Sequence, residues 1–223
     1  MDNSKLASAQ EALKFVKKGM KVGLGTGSTA EIFIDLLGKK NREKNMDLQC
    51  IATSVASENQ ARALGLPLSD FKSIEKLDVA FDGADQVDEN FHLIKGLGGA
   101  LVREKIVDYR TKKFIVLVGE NKLVKNLSGI VPVETIPLSC DAVKRDLISL
   151  GAASADIRMK DGSPFKSDNG NLILHAVFGN IEKPRALEDK INKRAGVVDN
   201  GIFSQKKAIV IVGGNDGSAR VLR

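Results

Sequence analysis

The 223-residue chain has no tryptophan, one tyrosine and two cysteines, and aromatic residues make up 4% of it. Each scarcity removes a class of protein. Cys50 and Cys140 are too few for a disulfide framework and have no partner at metal-ligand spacing, so both read as small buried apolar residues. The lack of aromatic-rich stretches leaves no stacking platform for nucleic acid. No apolar run approaches the roughly 20 residues that span a bilayer, so no membrane partner is expected. Residues 1–10 are polar and lack the apolar centre of a signal peptide, which makes the cytoplasm the expected location. The two histidines, His92 and His175, belong to no clustered ligand set, so no metal site is expected.

The formal charge of +6 invites a nucleic-acid reading, but the basic residues are spread along the chain and interleaved with acids. A solvated basic surface is the simpler account, and it would speed the approach of a small anion. With 43% apolar residues, the chain can bury a full core without staples.

The first half alternates two hydrophobic periods. Helical spacing predicts helices over residues 4–18, 29–37 and 55–64, separated by strands at 21–24, 48–52, 78–81 and 114–118. The run Phe114-Ile115-Val116-Leu117-Val118 is apolar at every position, as in a strand covered on both faces. Strands alternating with helices imply right-handed crossovers and an α/β fold with a doubly wound, mostly parallel sheet. After Leu127 the pattern changes. Ser139 is placed to cap a helix ending near Gly151; a half-exposed strand follows at 155–159, another at 172–178, then a helix from Pro184 to before Gly196. This reads as a smaller inserted α+β domain over 128–203. The buried strand at 208–212 returns to the first sheet, so residues 1–127 and 204–223 form the larger domain.

Three motifs stand at strand ends. The first is Gly23-Leu24-Gly25-Thr26-Gly27-Ser28-Thr29, where glycines admit a ligand to the backbone and the N–H groups of a helix start attract an anion. A merely tight turn is the competing reading. A dinucleotide site is not: Ser28 stands where the third glycine belongs, and Ile51-Ala52-Thr53-Ser54 offers no acid for a ribose. The second motif, Asp82-Gly83-Ala84-Asp85, puts two carboxylates at a strand's carboxyl end, where they can bind or exchange protons with sugar hydroxyls. Alternatively, Asp82 only shapes the turn. Asp88 and Glu89 read as solvated, and the adjacent His92 as structural. The third motif is Lys95-Gly96-Leu97-Gly98-Gly99-Ala100-Leu101-Val102-Arg103-Glu104-Lys105, in which glycines precede a helix carrying Glu104. Glu104 alone would read as an ordinary surface acid.

Together, in this order and spacing, the motifs resemble those of type A ribose-5-phosphate isomerases: G-T-G-S-T, D-G-A-D and K-G-G-G-x-A-L-x-R-E-K. The resemblance extends through Val133-Glu134-Thr135-Ile136-Pro137, Asp168-Asn169-Gly170-Asn171 and Gly196-Val197-Val198, essentially the whole chain. Leu97 departs from it, standing where the family pattern has glycine. The resemblance implies interconversion of ribose 5-phosphate and ribulose 5-phosphate through an enediolate, in the non-oxidative pentose phosphate pathway. It implies Glu104 as general base, Lys95 as donor to the developing oxyanion, and Asp82 and Asp85 as holders of hydroxyls that also help ring opening. It implies a substrate site made of Thr26, Gly27, Ser28, Thr29, Asp82, Gly83, Ala84, Asp85, Lys95, Gly96, Leu97, Gly98 and Lys122. The helix-terminus argument assigns 26–29 to the phosphate. No cofactor is needed, since electrons move only within the substrate. A homodimer, or a dimer of dimers, is the implied assembly. Two alternatives use the same residues: a non-catalytic sugar-phosphate sensor, which would need an output domain for which residues 1–18 are too short, and an isomerase–deaminase acting on an amino sugar.

Overall fold

The structure, a computed structural model, describes residues 2–223. In chain order the elements are α1 (Asn3–Ala12), β1 (Lys21–Leu24), α2 (Ser28–Lys44), β2 (Gln49–Ala52), α3 (Val55–Ala63), β3 (Leu77–Gly83), β4 (Gln86–Val87), β5 (Leu93–Ile94), α4 (Leu101–Tyr109) and β6 (Thr111–Gly119). They continue with β7 (Gly129–Thr135), α5 (Cys140–Ser149), β8 (Ser154–Ile157), β9 (Met159–Lys160), β10 (Ser163–Pro164), β11 (Leu172–Phe178), α6 (Pro184–Asn192), β12 (Val197–Asn200), β13 (Ile202–Phe203), β14 (Ile209–Gly213) and β15 (Ala219–Leu222). Packing divides them into two units. The first holds the residues up to Ala84, Arg103–Leu123 and Lys206–Arg223; the second holds Asp85–Val102 and Val124–Gln205.

The first unit is built on a six-stranded sheet of order β15-β14-β6-β3-β1-β2. All pairs are parallel except the edge pair β14–β15. Phe33, Ile34 and Leu37 of α2 pack with Ala9 and Ala12 of α1 over Leu24, Phe81 and Leu117. On the other face Val107 of α4 packs with Ala80 and Ile51. This is the doubly wound α/β fold that the alternating periods imply. The strand order runs outward from β1 to β2 on one side and from β3 to β6 on the other, so the winding reverses between β1 and β3. Open α/β sheets bind ligands at the carboxyl ends of strands beside such a reversal. The first two motifs lie there.

The second unit contains an antiparallel sheet of order β12-β7-β11-β8 and a small sheet of order β13-β5-β4. Val133, Leu174, Ala176 and Ala155 pack under Val143 and Leu147 of α5 and Ile191 of α6. Glu134 of β7 is fully buried, and its Oε1 accepts from Ser167 Oγ (2.9 Å), Asn169 Nδ2 (3.0 Å) and Asn171 Nδ2 (2.8 Å). The stretches at 133–137 and 168–171, distant in sequence, therefore hold one another.

Several boundaries differ from the periodicity. The first helix stops at Ala12 and tightens into a 3₁₀ turn over Leu13–Phe15 instead of reaching 18. Helix α2 extends past 37 to Lys44, through polar turns that carry no apolar period by which the sequence would reveal them; Asn45, at φ 45°, ends it. Strand β3 runs on to Gly83, so Asp82 lies within the strand and not after it. Ser139 occupies the N-cap position of α5 but makes no cap hydrogen bond; its hydroxyl lies 3.0 Å from the Ile136 carbonyl instead. Asp88 is buried, accepting from the backbone of Asn90 and His92 and facing His92 Nδ1 at 2.9 Å. The segment Asp85–Val102 packs within the second unit, whereas the sequence division at 127 places it with the first.

Candidate active site

The first motif turns the chain from β1 into α2. Gly25 donates its N–H to the Phe81 carbonyl at 2.8 Å, continuing the β1–β3 ladder one residue past the strand. A Cβ built on Gly25 would stand 2.3 Å from Asp82 Oδ1, so only glycine fits. Asp82 is fully buried, and its Oδ1 accepts from the Thr26 N–H (3.0 Å) and the Gly83 N–H (2.7 Å). The carboxylate thus ties the first motif to the second. Gly27, with φ 98°, is the N-cap of α2 and brings no side-chain cap. It and Ser28 are exposed and Thr29 half-buried, which leaves the N-terminal N–H groups of a 17-residue helix open to an anion. A cleft of about 310 Å³ beside the turn is lined by Thr26, Gly27, Ser57 and Gln60, and also by the acids Glu31 and Asp35. These acids disfavour an anion on that side of the turn.

Glu104 lies in the first turn of α4 and is 3% exposed, so it is not a surface acid. Burying a carboxylate is costly unless it is compensated, which marks the position as a place where chemistry or a network requires one. Lys105, next to it, is 5% exposed. Val107, one turn on, packs against Ala80 of β3 and anchors the helix to the sheet. Lys122 closes a 3₁₀ turn, Glu120–Lys122, directly after β6 and is half-buried.

In the second unit, Asp85 donates its N–H to the Ile94 carbonyl at 2.8 Å and takes the Leu97 N–H on Oδ2 at 3.1 Å. The loop uses the backbone N–H of residue 97, which any residue but proline supplies; this accounts for how leucine can stand there. Ala84 and Gly83 are half-buried at the unit boundary in sequence, and Gly98 is exposed. Lys95 is 2% exposed, donates its N–H to the Gly201 carbonyl and holds Nζ 5.3 Å from the Phe203 ring centroid, within cation–π range. Gly96 accepts from the Gly99 N–H at 2.9 Å, and both glycines have φ near +90 to +101°. Behind Gly99, the Arg158 guanidinium is stacked 4.0 Å from the Phe165 centroid, leaving no room for a side chain at 99.

The family profile described as ribose 5-phosphate isomerase A (phosphoriboisomerase A) matches residues 49–217. The chain belongs to the ribose 5-phosphate isomerase A family. Ribose-5-phosphate isomerase A of Thermococcus kodakarensis is 44% identical, covering 100% of this chain and 99% of that protein. The solved ribose 5-phosphate isomerase A of Methanocaldococcus jannaschii is 44% identical with a TM-score of 0.93, covering 98% of this chain and 97% of that one. A solved D-ribose-5-phosphate isomerase in complex with phospho-erythronic acid is 40% identical, also with a TM-score of 0.93, covering 98% and 97%.

Within the first unit the structure brings Thr26 and Asp82 into direct contact; within the second it joins Asp85 to Leu97. Sequence reasoning missed Thr53, Ser54 and Ser57, whose hydroxyls surround Thr26, and Arg158 and Phe165, which back Gly99. The only local signal was the run of hydroxyl residues after β2. Among the described residues no helix is long and apolar enough to cross a membrane, and no three His, Cys, Asp or Glu side chains are grouped to hold a metal ion.

Proposed function

We propose that the chain interconverts ribose 5-phosphate and ribulose 5-phosphate, with Glu104 moving the proton between C1 and C2. The observation that carries this reading is the burial of Glu104 at the start of α4, in a member of a family named for this reaction. Glu104 removes the C2 proton of the open-chain aldose, and the electron pair becomes the C1–C2 double bond of an enediolate as the C1 carbonyl pair moves onto O1. A proton then passes from the C2 hydroxyl to O1, and the proton on Glu104 returns to C1 as C2 becomes the ketone carbonyl. The oxyanion that develops needs a donor that is in place beforehand, the role of the buried Lys95 ammonium. Asp85, fixed by the Leu97 N–H, holds sugar hydroxyls and assists ring opening together with Asp82, whose Oδ1 also fixes the glycine turn. The phosphate rests on Gly27, Ser28 and Thr29, and Lys122 adds a cation to substrate binding. The relative solved with phospho-erythronic acid supports an open-chain sugar-phosphate ligand. The test is formation of ribulose 5-phosphate from ribose 5-phosphate with chelator present; binding without turnover would favour a sensor, and ammonia release from glucosamine 6-phosphate a deaminase.

The same reading includes a homodimer in the cytoplasm, supported by the family resemblance. Leu138 is 94% exposed, and Ile136 and Val198 are exposed near it in sequence and on the neighbouring strand, so this apolar surface is where to probe the assembly. Sedimentation giving a single-chain mass would remove the dimer without touching the chemistry.

A further inference from the structure

We infer that Thr53, Ser54 and Ser57 are positioning residues for the glycine turn, acting through a directed chain of hydroxyls that commits Thr26 inward and leaves Gly27, Ser28 and Thr29 to receive the phosphate. The inference rests on the reading of that turn as the phosphate seat.

Thr26 Oγ1 lies 2.7 Å from Thr53 Oγ1, 2.8 Å from Ser54 Oγ and 3.3 Å from Ser57 Oγ. Ser54 Oγ donates to Ser57 Oγ at 3.0 Å, and Ser57 Oγ donates to the Gly25 carbonyl at 2.5 Å. A hydroxyl has one hydrogen to give. Ser57 spends its hydrogen on Gly25, Ser54 on Ser57, and Thr26 on Ser54, so the 2.7 Å contact is made by Thr53 donating to Thr26. The chain therefore runs one way, from Thr53 through Thr26, Ser54 and Ser57 to the carbonyl of the turn itself.

Both ends are anchored. Thr53 is fully buried and donates its N–H to the Leu24 carbonyl at 2.9 Å, which ties the end of β2 to the end of β1. Ser54 is the N-cap of α3 and accepts the Ser57 N–H at 3.1 Å, which ties the chain to that helix. Ser54 and Ser57 are 4% and 3% exposed, so water does not compete for these bonds. Hydrogen bonds in such a row polarise one another, and removing one link weakens the rest.

The consequence falls on Thr26. Its hydroxyl hydrogen is spent on Ser54 while its oxygen accepts from Thr53, and its N–H is spent on Asp82 Oδ1. Neither polar group is left for a ligand. Thr26 instead fixes the path of Gly25, Thr26 and Gly27, and with it the direction in which the α2 N–H groups point. Donors held in place before the anion arrives avoid the ordering cost of binding.

The phosphate is held alike in the ground state and the transition state, so loosening its seat raises KM and spares kcat. Steady-state kinetics on the full chain should show Thr53→Val, which removes only the hydroxyl, raising KM for ribose 5-phosphate by roughly 3- to 10-fold, as the loss of one hydrogen bond would. The inhibition constant of inorganic phosphate should rise by the same factor, kcat should stay within about twofold, and Thr53→Ser should restore KM. Ser57→Ala should repeat the split from the other end of the chain. A folded Thr53→Val with wild-type KM, or one that loses kcat at unchanged KM, would overturn the inference, as would loss of folding in both Thr53→Val and Ser57→Ala. If the wild-type chain shows no turnover, the isomerase reading fails instead. Calorimetry with inorganic phosphate then still decides the positioning role, since equal affinity in wild type and Thr53→Val refutes it.

Discussion

Gly25 and Asp82 occupy space that a single methyl group would fill: a Cβ on the glycine would stand 2.3 Å from Oδ1 of the aspartate. The same oxygen takes the N–H groups of Thr26 and Gly83, so the contact locks the end of β1 to the end of β3 at the point where the sheet reverses its winding. Gly25→Ala is therefore expected to push the carboxylate from both donors. Overpacking of this kind costs about 1–3 kcal/mol, and urea unfolding should show it as a lower midpoint at unchanged slope, accompanied by a loss of turnover. An unshifted midpoint would mean that the two motifs are less tightly joined than the structure has them.

Lys95 tests the electrostatic half of the mechanism. Lys95→Met keeps most of the buried volume and removes the cation. Turnover should fall by about 10²–10³, the usual consequence of losing one oxyanion donor, with the fall in kcat rather than in KM. A rise in KM alone would make Lys95 a binding residue only.

His175 gives the second unit a pH dependence of known sign. Burial, and then the nearby Arg158 cation, hold its pKa below the usual histidine value. The unfolded chain therefore binds the proton more readily than the folded one. The stability owed to this group is full above the unfolded pKa near 6.5 and declines as pH falls from there toward the folded value. In His175→Gln the stability should vary less between pH 8 and pH 5 than in the wild type. An identical slope in both proteins would show that the ring takes up its proton as readily in the fold as in the unfolded chain.

The cysteines should be silent. Burial pushes the Cys50 thiol up to about 12, and burial together with Asp141 raises Cys140. Thiolate is the reactive form, so a disulfide reagent at pH 8 should label neither thiol in the native chain and both in guanidinium. Rapid native labelling would place one of them at the surface.

Much of the architecture is legible in the residues because the first half obeys two clean periods. Strands at 21–24 and 114–118 are apolar enough to declare themselves, and the three motifs fall at the ends of strands or at the start of a helix. Other elements are hidden for physical reasons. Strand β7 has Pro132 in its middle, which speaks against an inner strand. The structure tolerates it where β12 gives way to Gly201, whose N–H meets the Pro132 carbonyl at 2.7 Å. The two-residue strands β4, β5 and β13 are too short to show any period.

The motifs of the candidate site stand out in the sequence, and the residues that support them do not. Thr53 and Ser54 are seen in the sequence as a strand end that lacks an acid, and only the fold shows that their hydroxyls close around Thr26. Asp88, expected in solvent, is enclosed by its own turn through hydrogen bonds to Asn90 and His92. Pairings between residues far apart in the chain leave no mark on local composition.

Turnover by Glu104→Gln is the most direct trial of the whole account. The amide matches the carboxylate in shape and cannot take a proton, so the folded variant should lose about 10²–10⁴ in kcat for conversion of ribose 5-phosphate while still binding it. A folded variant that forms ribulose 5-phosphate at the wild-type rate would contradict the central claim.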